Sequence, residues 1–215
     1  EKLDMLQLVN EKTKIDWQGQ LTQSIAGKEV YPRPVQDKLP LWVATGGHVE
    51  STVKIAQAGL PIVYAIIGGN PRYFKKLIQA YREIGREAGH ADKDLKVGAH
   101  SWGWIAEDGE QAIKDYFHPT KQVVDAISKD RPHWQELTYE QYLEQVGPNG
   151  AMFVGNPDQV AEKLIRMIED LDLDRFMLHL PLGSMPHGQV LRAIELFGTQ
   201  VAPKIRAYFA MKEEL

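Results

Sequence analysis

Six consecutive apolar residues, Ile62-Val63-Tyr64-Ala65-Ile66-Ile67, lie between Gly59-Leu60-Pro61 and Gly68-Gly69. A run this short, bounded by turn residues and without alternation, reads as a strand covered on both faces. Strands of that kind occur in parallel sheets, whose crossover connections lay helices over the faces. The flank agrees: Asn70 can cap a following helix with Pro71 at its first position, and Tyr73, Phe74, Leu77, Ile78, Tyr81 and Ile84 mark one side of it.

The same alternation recurs along the chain. Leu41-Trp42-Val43-Ala44-Thr45 reads as a buried strand broken by Gly46-Gly47, with helical composition from Glu50 to Ala58. Leu95 to Ala106 reads as a third strand and Gly109 to Ile127 as its helix. Asn156-Pro157-Asp158 repeats the cap-plus-proline start, and Val160, Leu164, Ile165, Ile168 and Leu171 carry a helix to Asp172. Arg175 to Leu180 is the fourth strand, Pro181 to Pro186 a loop, and His187 to about Tyr208 a long final helix. Four strand–helix units predict an α/β fold with right-handed crossovers. Periodicity alone leaves open whether they form a doubly wound sheet or half of an eight-stranded barrel.

Two stretches break the rhythm. Lys12 to Gln36 is irregular and reads as a loop or short hairpin, with Tyr31-Pro32-Arg33-Pro34 extended. Residues 128–150 carry Pro132, Trp134, Tyr139 and Tyr142 among many charges and read as an insertion with a short helix, a lid candidate over a binding face. Leu3, Leu6, Leu8 and Val9 look like the last turns of an amphipathic helix with no cap before it, so the chain reads as opening inside an element.

With 215 residues, 43% of them apolar, one large domain over 1–215 is expected. The net charge of −4 is spread among interspersed signs, which implies no nucleic-acid or membrane-surface partner. No run approaches the roughly 20 apolar residues of a membrane span. The absence of cysteine excludes disulfides, thiolate metal sites and a cysteine nucleophile, and a cytoplasmic location is the plain expectation. The seven histidines, at 48, 90, 100, 118, 133, 179 and 187, show no zinc-type pair four apart, so no metal is expected. Walker, nucleophile-elbow and dinucleotide-binding motifs are absent as well.

The run Leu41 to Ser51, followed by Ala56-Gln57-Ala58-Gly59-Leu60-Pro61, resembles the fifth strand, loop and helix of luciferase-like flavin-dependent monooxygenases. Phe153-Val154-Gly155-Asn156-Pro157-Asp158-Gln159-Val160-Ala161-Glu162-Lys163 is similar to the family's glycine-x-proline-glutamate helix start, and Ile194-Glu195-Leu196-Phe197 with Val201-Ala202-Pro203 to its closing helix. The resemblance covers about the whole chain and matches the second half of the family only. It implies the C-terminal half of a (β/α)8 barrel of TIM type, reduced FMN or a deazaflavin as cofactor, oxygen or a carbon substrate as reactant, and a dimer. It also implies that much of the substrate pocket and the family's catalytic histidine belong to an N-terminal half, so no catalytic residue carries over.

Gly46-Gly47 with Ser51 is the leading candidate for the flavin phosphate. A glycine pair lets backbone N–H groups approach an anion, the helix start adds its dipole, and Ser51 adds a hydroxyl. Gly46, Gly47 and Ser51 match the family's phosphate loop, and His48 and Glu50 depart from the small residues there. Thr45 at the strand end, Gly68 and Gly69 before the Asn70 cap, and His100 on the third strand complete the cofactor candidates; for the second glycine pair, steric permission for the turn is the stronger reason. Each histidine on a strand can also be an ordinary core residue. Two readings follow. One is a flavin-dependent oxidoreductase, a monooxygenase acting on an organic small molecule and supplied by a flavin reductase. The other is a non-catalytic half-barrel that binds a phosphorylated ligand, forms a homo-oligomer, or associates with the missing half through exposed strand edges.

Overall fold

Residues Glu1–Leu41 form one unit, and the chain from Trp42 forms a second, in the computed structural model, which describes residues 1–213. In the first unit, α1 (Lys2–Glu11) starts at Glu1 without a side-chain cap and buries none of its residues. Its last carbonyls are taken by Arg33, which donates to Val9 O at 2.8 Å and to Asn10 O at 3.0 Å. β1 (Lys14–Trp17) and β2 (Ile25–Glu29) pair antiparallel, the hairpin of the two possibilities for this stretch.

The second unit is built on a five-stranded parallel sheet of β3 (Val43–Thr45), β4 (Ile62–Ala65), β5 (Val97–Ile105), β6 (Phe153–Gly155) and β7 (Arg175–His179). Its helices are α2 (Val49–Gln57), α3 (Lys75–Glu87), α4 (Gly109–Asp130), α5 (Tyr139–Val146), α6 (Pro157–Leu171), α7 (His187–Leu196) and α8 (Ala202–Glu213). The expected four strands are present, and β6 is a fifth that the pattern does not reveal, because three residues cannot display a period. The final helix is also interrupted: a π-helical turn at Phe197–Val201 separates α7 from α8.

Strand order resolves the choice of architecture. β3 lies beside β4, β4 beside β5, and β7 beside β5, so apart from β6 the sheet follows chain order. A doubly wound sheet would reverse at a switch point; a barrel wall does not. β5 accommodates two neighbours because it is nine residues long: Gly98–Trp102 pair with β7 and Gly103–Ile105 with β6. Among the described residues nothing pairs with the outer edge of β3 or of β7.

The two faces of the sheet differ sharply. On one, Ile62, Tyr64, Val97, Ala99 and Ser101 are all 0% exposed under the helices, and Tyr64 Oη lies 3.2 Å from Thr52 Oγ1 of α2. Each large apolar side chain buried there stabilises the fold by about 1.5–3 kcal/mol. On the other face, Gly98 shares its side with Trp42 and Val63, both of which a Cβ on Gly98 would meet at 3.3 Å. Strand alternation then puts His100, Arg175, Met177 and His179 on that side. Arg175, Met177 and His179 are exposed, and the Arg175 guanidinium lies 4.8 Å above the Trp42 ring. This face is open. At the N-terminal strand ends, Asp174 accepts from Lys96 Nζ and from Val97 N, both at 2.8 Å, pinning β7 to β5. No described helix is long and apolar enough to cross a membrane.

Candidate functional site

The C-terminal ends of β3, β4 and β5, the side on which parallel barrels bind their ligands, carry the polar turns. After β3, Gly46 is exposed, and a Cβ there would meet nothing within 4 Å. Gly47 has φ +98°, and a Cβ on it would press on the Phe74 ring at 2.8 Å, so glycine is required at 47 by conformation and by packing. Gly47 N donates to Thr45 Oγ1 at 3.3 Å, which folds the turn onto the strand end. His48 is the N-cap of α2 but its side chain makes no cap hydrogen bond. The first-turn N–H groups of α2, including that of Ser51, therefore face outward with the helix dipole behind them. Glu50 in that turn places one carboxylate nearby.

After β4, Ile66 is held by β5: Ile66 N donates to His100 O and Ser101 Oγ donates to Ile66 O, both at 2.8 Å. Gly68 and Gly69 follow, both exposed, with φ +75° at Gly69. Gly69 N donates to Gln145 Oε1 at 2.9 Å, so this turn is already engaged by the insertion. Asn70 caps the next turn through Arg72 N at 3.0 Å, with Pro71 behind it.

On the open face, His100 and His179 stand side by side, with ring centroids 5.6 Å apart at a 40° tilt. Register explains the pairing: His100 lies opposite Met177 and His179 opposite Trp102, diagonal neighbours on adjacent strands. Partial burial depresses the His100 pKa, and the neighbouring His179 depresses it further.

The insertion is ordered. Thr138 and Gln141 form a capping box at the start of α5. The end of α5 is held by Lys163 of α6, only 9% exposed, whose Nζ donates to the carbonyls of Val146 at 2.9 Å, Gly147 at 2.6 Å and Met152 at 2.6 Å. Burial pulls the Lys163 pKa down to about 7, with the charge of Arg166 adding to it. Trp134 packs on Trp102 of β5 at 6.3 Å between centroids. Between the insertion and the Gly68-Gly69 turn lies an open cavity of about 410 Å³, walled by both tryptophans. A cleft of about 50 Å³ beside Arg72 and Arg166 is too narrow for a flavin.

The family model for luciferase-like monooxygenases matches residues 1–174. The chain belongs to that family. Among solved structures, monooxygenase RslO1 from Streptomyces bottropensis superposes with a TM-score of 0.76 at 18% identity, over 94% of this chain and 59% of that one. The coenzyme F420 dependent tetrahydromethanopterin reductase from Methanopyrus kandleri gives 0.64 at 17% identity, over 95% and 61%. The oxygenating constituent of 3,6-diketocamphane monooxygenase from Pseudomonas putida, a type II Baeyer–Villiger monooxygenase in complex with FMN, gives 0.61 at 17%, over 94% and 62%. These likenesses establish the fold, and this luciferase-like chain spans between 59% and 62% of the length of the three structures. No curated protein matches it. Its sheet and helices form part of a (β/α) barrel, as the strand order indicates.

Of the luciferase-like chain's candidate residues, Thr45, Gly46, Gly47 and Ser51 share one strand–helix turn, and Gly68 and Gly69 form the next. His100 lies deeper, in register with Ala65 of β4. The sequence reading does not single out Gln145 or Lys163 as functional. A signal for Lys163 exists: it falls three residues after Val160 and four before Met167, within the apolar stripe of α6. Gln145 is legible only once the insertion is folded back.

Proposed function

We propose that this chain is the C-terminal half of a flavin-dependent oxidoreductase, a luciferase-like monooxygenase that uses reduced FMN and O2 on an organic substrate. The observation that carries the reading is the turn after β3. Gly46 leaves the backbone open to an anion, α2 presents its first-turn N–H groups without a side-chain cap, and the open sheet face begins beside them. The donor set suits the phosphate of FMN, with Gly46, Gly47 and Ser51 holding it. Glu50 is the one contrary charge, and its side chain is exposed. The isoalloxazine would lie across the face bearing His100 and His179, with the Gly68-Gly69 turn at its border, while Thr45, on the helix-covered side with Tyr64, would serve the site by accepting from Gly47 N. A deazaflavin with its own phosphate would satisfy the same donors.

The flavin supplies the hydride and oxygen chemistry; the chain's residues bind, orient and shield it. His100, its pKa lowered by partial burial and by the neighbouring His179, favours the neutral imidazole, which can accept a hydrogen bond from a ring edge. The unpaired edges of β3 and β7, with Met177 38% exposed on the face between them, support closure by further strands, from an N-terminal half or a partner chain. In this reading residues 1–215 belong to one barrel domain with 128–150 as its lid, in a cytoplasmic, oligomeric enzyme supplied by a flavin reductase.

The test compares FMN with riboflavin by fluorescence quenching in the wild type and in Ser51→Ala. Phosphate recognition makes FMN bind at least about tenfold more tightly than riboflavin, and Ser51→Ala shrinks that ratio. Equal affinity for the two flavins refutes the phosphate turn.

A further inference from the structure

The cavity between the insertion and the Gly68-Gly69 turn is distinct from the phosphate turn in chemistry. Trp102 and Trp134 form its walls, with Leu137 and Met152 beside them. Aromatic faces of this kind favour flat or cationic groups. Glu144 is its one carboxylate, and no Lys or Arg lines it among the described residues. The amides are also oriented. Gln141 Oε1 accepts from Thr138 N at 3.0 Å, and Gln145 Oε1 accepts from Gly69 N at 2.9 Å. Both oxygens being engaged, the NH2 groups are what these two side chains have left to offer, and they match an acceptor on a ligand.

We infer that this cavity takes a flat, apolar substrate without negative charge that carries a hydrogen-bond acceptor such as a ring ketone, laid against the wall that Trp102 and Trp134 form together. Its volume of about 410 Å³ falls in the range of small-molecule sites. It opens at the C-terminal end of β4, next to the strand whose end carries the phosphate turn, which sets a bound ketone beside a flavin on the open face. A carboxylate on the substrate would meet Glu144 and the aromatic faces with no Lys or Arg to offset its desolvation, His133 being the one basic side chain on the lining. This inference rests on the flavin-enzyme reading for the identity of the occupant as a substrate.

The experiment is ligand-observed NMR and equilibrium dialysis with three probes on one ring system: 2-acetylnaphthalene, 2-naphthylmethylammonium and 2-naphthoate. The ketone and the cation bind saturably, and naphthoate binds at least about tenfold more weakly. Trp134→Ala weakens the ketone by a similar factor, and Glu144→Lys closes most of the gap between ketone and naphthoate. Trp134 sits in a half-buried loop position, and an unchanged thermal melt of Trp134→Ala confirms its fold. Failure of the ketone to bind, naphthoate binding as well as the ketone, or an unchanged affinity in folded Trp134→Ala overturns the inference. FMN titration of the same samples separates the two ideas. Flavin binding without ketone binding overturns the cavity assignment alone, whereas selective ketone binding without flavin binding overturns the flavin reading and leaves the cavity's ligand class standing.

Discussion

Adding one methyl group at each of two adjacent glycines separates folding from binding. Gly47 has φ +98°, a conformation that costs an L-residue about 1–2 kcal/mol. Its new Cβ would also press on Phe74 at 2.8 Å, and Phe74 has little freedom because its ring packs edge-on against buried Tyr64 at 5.5 Å. Overpacking of this kind costs about 1–3 kcal/mol, so Gly47→Ala should destabilise the protein by about 3 kcal/mol in urea unfolding. Gly46→Ala meets nothing within 4 Å and has no positive φ, so it should leave stability within about 0.5 kcal/mol of the wild type. If the flavin phosphate approaches this turn, the same methyl stands in its way, and Gly46→Ala should lose at least about tenfold in FMN affinity, near 1.4 kcal/mol. Equal destabilisation by the two substitutions would refute the geometry of the turn. Full FMN affinity in folded Gly46→Ala would refute its role.

Other expectations follow from the same contacts. Lys163 has a folded pKa near 7 against an ordinary 10.5, so between those values the unfolded chain binds more protons. Stability of the wild type relative to Lys163→Met should therefore rise with pH across that window in urea titrations; a flat difference would mean that the carbonyls around Nζ keep the ammonium fully charged. Thr138→Ala removes half of the capping box of α5 and should cost about 1 kcal/mol, read as faster amide exchange across 139–146 with the sheet unaffected. At Gly103 a Cβ would collide with the Phe153 carbonyl oxygen and the Leu178 side chain, so Gly103→Ala should destabilise by about 2–3 kcal/mol, and a neutral outcome would contradict the pairing of β5 with β6.

Much of the architecture is legible before folding because it is local. The unbroken run 62–67 announces β4, and Asn70-Pro71 and Asn156-Pro157 mark helix starts that the structure closes with side-chain caps. β6 is invisible because its three residues adjoin the next helix cap, and the π turn at 197–201 has no strong local marker. Strand order is a long-range property, so the choice between barrel wall and doubly wound sheet rests on the resemblance until the pairings are known. The site divides in the same way. The glycine turns are punctuation that any reading finds, whereas the Gln145–Gly69 hydrogen bond spans 76 residues and the pairing of His100 with His179 depends on register. Local pattern carries neither.

The central claim is that a flavin lies across the open face with its phosphate at the turn after β3. Titration of FMN into protein labelled with ¹³C at its histidine rings tests it most directly, since the seven histidines are spread over the molecule. The account predicts saturable shifts at His100 and His179, a smaller one at His48 beside the phosphate turn, and none at His90, which is anchored to Gln57 O at 2.9 Å at the C-terminal end of α2. Shifts confined to histidines off the open face, or none at saturating FMN, would contradict it.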